Sequence, residues 1–359
     1  MSDASSRRAE SPGSATGARK TVNLALQGGG SHGAYTWGAI DALIDDERIE
    51  IGGISGASAG AMNAVVYADG FRENGRAGAK RKLNDFWLSV SEEGALSPMQ
   101  RRIVDLWFKG WGLTFPQAGA LWDVLSQFAS PYEFNPLNLS PLRDHLVKLV
   151  DFEALRREGT IPLFVAATNV RTGRGEIFRS DVLNADHLMA SACLPRLFQA
   201  VEIDGVPYWD GGFAGNPPLW PLYYETSCQD AVIVQINPIE RQRTPHSAQE
   251  IADRMNEITF NAGLLAELRA TDFVARLIEG GNLRENGYRR QRVHRIGGDG
   301  DLADFGAASK MDVRWTFLLE LRDLGREAAK TWLARHFDEI GVRSTLDLDR
   351  TLAKPQSAG

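Results

Sequence analysis

The stretch Thr21 to Asp69, TVNLALQGGGSHGAYTWGAIDALIDDERIEIGGISGASAGAMNAVVYAD, holds two strand-turn-helix units back to back. In the first, the apolar run Val22 to Leu26 reads as a buried strand that breaks at Gly28-Gly29-Gly30. The chain resumes as a helix, with Tyr35, Trp37, Ile40, Leu43 and Ile44 at helical spacing. In the second, Ile51 to Ile54 is a short strand, and Gly56-Ala57-Ser58-Ala59-Gly60 turns the chain into a helix over Ala61 to Ala68. Each unit aims a special turn at the same end of a sheet.

A G-x-S-x-G pentapeptide puts a serine on a sharp strand-to-helix corner, where flanking residues without side chains let the backbone pass. Ser58 then stands at the start of a helix, beside backbone N–H groups without intrahelical acceptors and the positive end of the macrodipole. That setting suits a nucleophile. In a chain with 36 glycines the pentapeptide alone is a weak signal, and an N-cap or tight-packing serine is the plain alternative. Three consecutive glycines after a strand can turn several N–H groups toward one point and form an anion-binding nest. Such a nest serves an oxyanion hole. It also serves a dinucleotide pyrophosphate, because Gly28-x-Gly30-x-x-Gly33 satisfies that fingerprint, with Asp46 and Glu47 near the place of a ribose-binding acid.

The 359 residues, 43% of them hydrophobic, suffice for one large domain or two ordinary ones. A net charge of -6 gives no broad footprint for nucleic acid, and clusters such as Arg289-Arg290 read as solvated surface. Two cysteines, Cys193 and Cys228, are too few for a disulfide framework or zinc cluster, so a reducing compartment is expected, with Cys193 a core thiol. Residues 1 to 20 are too polar to pack and lack the apolar region of a secretory signal, so a disordered tail is expected. No run approaches the ~18 to 20 apolar residues of a membrane span, which points to a soluble, cytoplasmic protein that at most lies on a membrane surface.

Between Pro98 and Tyr132 the chain interleaves Trp107, Phe108, Trp111, Phe115, Trp122 and Phe128 with Gly and Pro. It reads as a cap over an apolar channel, an interfacial patch, or short helices packing aromatics on the sheet. Ser140-Pro141 fits a helix start. Ile161 to Asn169 is a continuous apolar strand of the kind a parallel sheet buries, and Glu176 to Arg179 pairs with it across Thr172-Gly173. A short helix over Ala185 to Ala192 ends before Leu194-Pro195. Ala200 to Tyr208 reads as a hairpin turning at Asp204-Gly205 and ending in Trp209-Asp210-Gly211-Gly212. Asp230 to Ile236 is a further buried strand. From His246 onward the chain reads as long amphipathic helices without strands, Ala248 to Ile278 and Met311 to Phe337, joined through an exposed loop near 297–306.

The glycine nest, the Ser58 elbow and Asp210 at a strand end require a joint explanation. A serine nucleophile needs a base, an oxyanion holder and exclusion of water. None of the six histidines, His32, His145, His187, His246, His294 and His336, lies in a stretch that reads as a catalytic loop. A carboxylate can be the base directly when it is held against the hydroxyl and shielded. The chain resembles the patatin-like lipid acyl hydrolases. The resemblance rests on Gly28-Gly29-Gly30-Ser31-His32-Gly33-Ala34-Tyr35, on Gly56-Ala57-Ser58-Ala59-Gly60, on Ser191-Ala192-Cys193-Leu194-Pro195-Arg196-Leu197-Phe198 with Ile203-Asp204-Gly205, and on Asp210-Gly211-Gly212. It covers residues 21 to about 240.

The resemblance implies an α/β fold of three α/β/α layers with a mostly parallel central sheet, to which residues 246–359 add a helical C-terminal region; the catalytic domain is expected over 21–245. It implies a phospholipase A or lysophospholipase type of ester hydrolysis through an acyl-enzyme. Ser58 would be the nucleophile and Asp210 the general base, with the backbone N–H groups of Gly28, Gly29 and Gly30 forming the oxyanion hole. No metal or cofactor is implied. The expected partner is a lipid or other acyl ester, with room for peripheral membrane contact. Family members commonly carry Arg or Lys where this chain has His32, so the resemblance supplies no fixed cation there. The alternatives are an esterase or polyester depolymerase on a non-phospholipid substrate and a Ser-Asp-His esterase using His246, His294 or His336. A dinucleotide-binding protein using the Gly28 loop and a lipid-binding scaffold with an idle dyad complete them.

Overall fold

A computed structural model describes residues 19–91, 131–134, 141–195, 198–283 and 288–297, together with 300, 302, 305, 309, 310 and 312–352. The expectations for the N-terminal tail, for nearly all of the Trp-rich segment, for Arg196-Leu197 and for most of the 297–306 loop lie outside these residues. In chain order the main elements are β1 (Lys20–Leu26), α1 (Gly33–Asp45), β2 (Ile49–Gly56), α2 (Ala59–Val90), α3 (Pro141–Leu149), α4 (Phe152–Glu158), β3 (Leu163–Asn169) and β4 (Gly175–Arg179). There follow α5 (Ala185–Ser191), β5 (Val201–Ile203), β6 (Val206–Asp210), α6 (Trp220–Glu225), β7 (Asp230–Gln235), α7 (Ala248–Glu279), β8 (Arg292–Gly297) and α8 (Trp315–His336). No helix among the described residues is long and apolar enough to cross a membrane.

The strands form one sheet in the order β5-β6-β3-β2-β1-β7-β8, with β4 on β3. The five strands β3, β2, β1, β7 and β8 run parallel, while β4 and β6 lie antiparallel to β3 and β5 pairs antiparallel with β6. Side chains alternate between two faces. Leu24, Leu26, Val165, Val232, Val234 and Ile296 enter one core with α1, α2 and α8. Ala25, Phe164, Ile233 and Val293 enter the other, with Leu219 and Leu222 at α6 and Leu264 and Leu268 of α7. Helices on both faces of a mostly parallel sheet give the three layers that the strand-helix alternation implies.

The C-terminal region departs from expectation at one point. Arg292–Gly297 is a strand, β8, which extends the parallel sheet beyond β7, so this region is not without strands. Its two arginines and histidine give it a polar look, yet Val293, His294 and Ile296 are fully buried. Helix α8 is tied equally closely. A Cβ at Gly38 of α1 would lie 1.8 Å from the Arg322 carbonyl, and one at Gly325 of α8 would lie 2.0 Å from the Tyr35 carbonyl. Two glycines thus let α1 and α8 touch backbone to backbone.

One detail of the sheet positions the site. β4 pairs with one edge of β3 over Phe164 to Thr168. The opposite edge is therefore shared end to end: β2 pairs there through Gly56↔Val165, and β6 through Asp210↔Ala167. The last residue of β2 and the last residue of β6 thus meet β3 two residues apart, arriving from opposite directions.

Candidate active site

The serine elbow forms because β2 ends against Val165 and α2 must start within three residues. Ser58 takes φ 52° and ψ -126°, the left-handed region that a side chain seldom adopts. Its hydroxyl makes no capping hydrogen bond to α2 although Ser58 occupies the N-cap position. The plain N-cap alternative is thereby set aside, and the oxygen is left for another partner. The Ser58 N–H donates to Ser191 Oγ at 2.9 Å. Ser58 is 2% exposed.

Asp210 ends β6 directly beside this elbow and is fully buried. Its N–H donates to the Cys193 carbonyl at 2.8 Å, so the Ser191 to Leu194 stretch grips both the serine and the aspartate. Oδ1 accepts the Gly212 N–H at 2.7 Å. Oδ2 has no well-formed hydrogen bond among the described residues. Burial raises the carboxyl from its ordinary 3.8 to about 7, against smaller lowering effects from the Gly212 N–H and then the Ser58 hydroxyl. The Ser58 hydroxyl thus acts on the carboxyl without making a hydrogen bond of good geometry.

The glycine turn lies against the elbow. A Cβ on Gly28 would sit 2.6 Å from both the Ala57 carbonyl and Ser58 Cβ, so only glycine lets the two turns meet. Of the three N–H groups expected to form an oxyanion hole, that of Gly28 is engaged in this geometry: it donates to Asn216 Oδ1 at 2.6 Å. Gly29 and Gly30 have no protein acceptor for their N–H groups among the described residues. Ser31 Oγ and His32 Nδ1, in the same turn, are buried without hydrogen-bond partners among the described residues.

Behind the turn stands a lattice of carboxamides that the sequence reading passed over. Gln27 Oε1 accepts the N–H groups of Ile236 and Asn237, both at 2.9 Å. Gln27 Nε2 donates to the Asn216 carbonyl at 3.0 Å and to Asn261 Oδ1 at 3.1 Å. Asn216 and Asn237 both donate to the Gly28 carbonyl, at 3.2 and 2.8 Å. The available signal was a polar residue at a strand end: Gln27 closes an apolar strand, and Asn216 and Asn237 each precede a proline.

The rival constellations do not assemble. Among the described residues none of the six histidines hydrogen-bonds to Ser58 or Asp210. His294 contacts Asp230 and Thr345, each at 3.0 Å. His336 contacts Glu339 at 2.7 Å, and the His246 backbone caps onto Glu250. His32 Nε2 meets Ser309 at 2.7 Å, and burial, then the charges of Lys310 and Arg241, hold its imidazole well below the ordinary value. For the dinucleotide reading, Asp46 comes before β2 and is clamped by Arg48. A ribose-binding acid belongs at the opposite end of that strand.

A family model for patatin-like phospholipase matches residues 24–223. No curated protein matches the chain. Among solved structures, VipD from Legionella pneumophila is similar over 88% of this chain and 67% of its own, at 16% identity and a TM-score of 0.42. The family match alone spans more than half of the 359 residues and contains both turns, Asp210 and all but the last strands of the sheet. On that extent, the chain belongs to the patatin-like phospholipase family, whose members are lipid hydrolases.

Proposed function

We propose that this protein hydrolyses a carboxylic ester of a lipid with a Ser58-Asp210 dyad. The observation that carries the reading is the buried Asp210 carboxyl, one oxygen unpartnered, set against a strained serine whose hydroxyl caps nothing. With its carboxyl raised to about 7, Asp210 is basic enough to take a proton and acidic enough to return it near neutral pH.

Ser58 Oγ attacks the acyl carbon as its proton passes to Asp210. The carbonyl π electrons move to oxygen, and the oxyanion meets the N–H groups of Gly29 and Gly30. Collapse of the tetrahedral intermediate breaks the ester C–O bond, and Asp210 protonates the departing alcohol. Water then attacks the Ser58 acyl ester with Asp210 taking its proton, and the second collapse returns that proton to Ser58 and releases the acid. Ser58 is 2% exposed and Asp210 fully buried, which shields the carboxyl from bulk water.

The test is hydrolysis of p-nitrophenyl acyl esters across chain lengths by wild type, Ser58→Ala and Asp210→Asn. Turnover in wild type, lowered at least about 10³-fold in both variants, is the expected result. Undiminished turnover in Ser58→Ala, or an inert wild type at every chain length, sinks the proposal.

A further inference from the structure

A buried ammonium stands behind the glycine turn. Lys310, between β8 and α8, is 4% exposed and lies outside the residues matched by the family. Its Nζ donates to Asn237 Oδ1 at 2.7 Å. An ammonium can only donate, so it forces the amide oxygen of Asn237 toward itself and leaves Nδ2 for other acceptors. Nδ2 donates to the Gly28 carbonyl at 2.8 Å. In a planar trans peptide the Gly28 carbonyl and the Gly29 N–H point in opposite directions. Holding that carbonyl toward Asn237 and Asn216 therefore holds the Gly29 N–H on the other side of the loop. A positive charge at the far end of the relay also polarises the peptide, making the N–H a better donor.

We infer that Lys310 is a positioning residue for acyl transfer, acting through the Asn237 carboxamide to orient and polarise the Gly28–Gly29 peptide whose N–H meets the oxyanion. The inference rests on the Ser58-Asp210 reading. A buried ammonium is a costly way to fill space. Burial lowers Lys310 to about 8; Glu257 and Asp253 of α7 raise it, and Arg241 lowers it. Glu257 is itself paired with Arg241 at 2.6 Å and Arg254 at 3.0 Å. His32, across the same cluster, is held neutral by burial and these cations. The charge on Lys310 is present below about pH 8 and lost above it, so kcat acquires an alkaline limb there.

The experiment compares full-length wild type, Lys310→Met and Lys310→Arg. It reads kcat and KM for a p-nitrophenyl ester from pH 5 to about 10, the rate of labelling by a fluorophosphonate probe, and thermal melts to verify folding. In Lys310→Met, kcat and labelling should fall roughly 10- to 100-fold with KM nearly unchanged, and the alkaline limb should vanish. Arginine stays charged throughout, so Lys310→Arg should recover most of kcat and carry no limb near pH 8. A folded Lys310→Met with wild-type kcat overturns the inference, as does a Lys310→Arg that keeps the wild-type limb or recovers no activity. Should Lys310→Met fail to fold, the Lys310→Arg profile decides. A wild type that neither turns over nor labels removes the Ser58 reading and the inference with it, whereas an active wild type matched by Lys310→Met removes only the inference.

Discussion

Two buried aspartates sit at opposite ends of the sheet and are treated in opposite ways. Asp230 opens β7, and its carboxylate is saturated. Oδ1 meets Arg292 Nε at 2.9 Å, His294 Nε2 at 3.0 Å and the Gly341 N–H at 2.8 Å, and Oδ2 accepts Arg292 Nη2 at 2.7 Å. Burial alone would raise its pKa, but His294, Arg292 and Gly341 together hold it well below the ordinary carboxylate range. Asp210 closes β6; among the described residues its carboxylate accepts one well-formed hydrogen bond, from the Gly212 N–H, and burial wins. Both side chains are buried, Asp210 the more deeply, and the outcome is a fixed anion at one end and a carboxyl raised toward neutrality at the other. The difference lies in depth of burial and in the partners the fold provides: Arg292, His294 and Gly341 hold the Asp230 carboxylate, whereas the Gly212 N–H is the one well-formed donor to that of Asp210 among the described residues.

The comparison can be broken first at Asp210. Its carboxyl titrates at about 7 in the folded chain against 3.8 when free, so the folded state holds the extra proton between those values. Its contribution to stability is fully present below about pH 4 and is lost as pH rises through 7, a penalty of roughly 4 kcal/mol. Asp210→Asn should therefore melt higher than wild type at pH 8 while losing activity, and the gain should disappear at pH 4. A variant that melts lower at pH 8 would mean the carboxylate stabilises the fold.

Asp230→Asn should do the reverse. Removing one partner from a buried, hydrogen-bonded ion pair costs about 3 to 5 kcal/mol. Because the folded pKa is depressed, the stability Asp230 confers is present above about pH 4 and fades as acid protonates it. Denaturant melts of Asp230→Asn should show the loss at pH 7 and a smaller one in acid, with kcat per folded molecule unchanged. A kcat effect comparable to that of Asp210→Asn would erase the distinction between the two ends.

The smallest effect on stability is expected at the contact between the two turns. Gly28→Ala forces a methyl onto the Ala57 carbonyl and Ser58 Cβ, both at 2.6 Å, at a cost of about 1 to 3 kcal/mol for overpacking. Thermal melts measure that cost, and a fall in fluorophosphonate labelling larger than the stability loss explains would sharpen the assignment of this contact to the reaction.

Much of this layout is legible in the sequence because local signals and tertiary structure agree. Val22 to Leu26, Ile161 to Asn169 and Asp230 to Ile236 are mostly apolar runs, and the strands they form are buried on both faces of the sheet. Asp204-Gly205 turns the β5-β6 hairpin with positive φ at both residues, as the dipeptide implies. The meeting of Ser58 with Asp210 is another matter. The motifs identify each residue, but their proximity depends on β2 and β6 sharing one edge of β3, a long-range pairing that no local pattern encodes. The same holds for β8, where arginines and a histidine mask a buried strand, and for Lys310, which reaches the glycine turn from residues far outside the motifs. The occupied N–H of Gly28 follows from Asn216, and nothing at position 28 announces it.

The claim that Asp210 activates Ser58 is tested most directly by the pH dependence of fluorophosphonate labelling, with the modified residue located by peptide mass mapping. The account expects the label on Ser58, a rate that climbs through an apparent pKa near 7, and loss of that climb in Asp210→Asn. Labelling of another residue, or an Asp210→Asn variant labelled at the wild-type rate across the range, would contradict it.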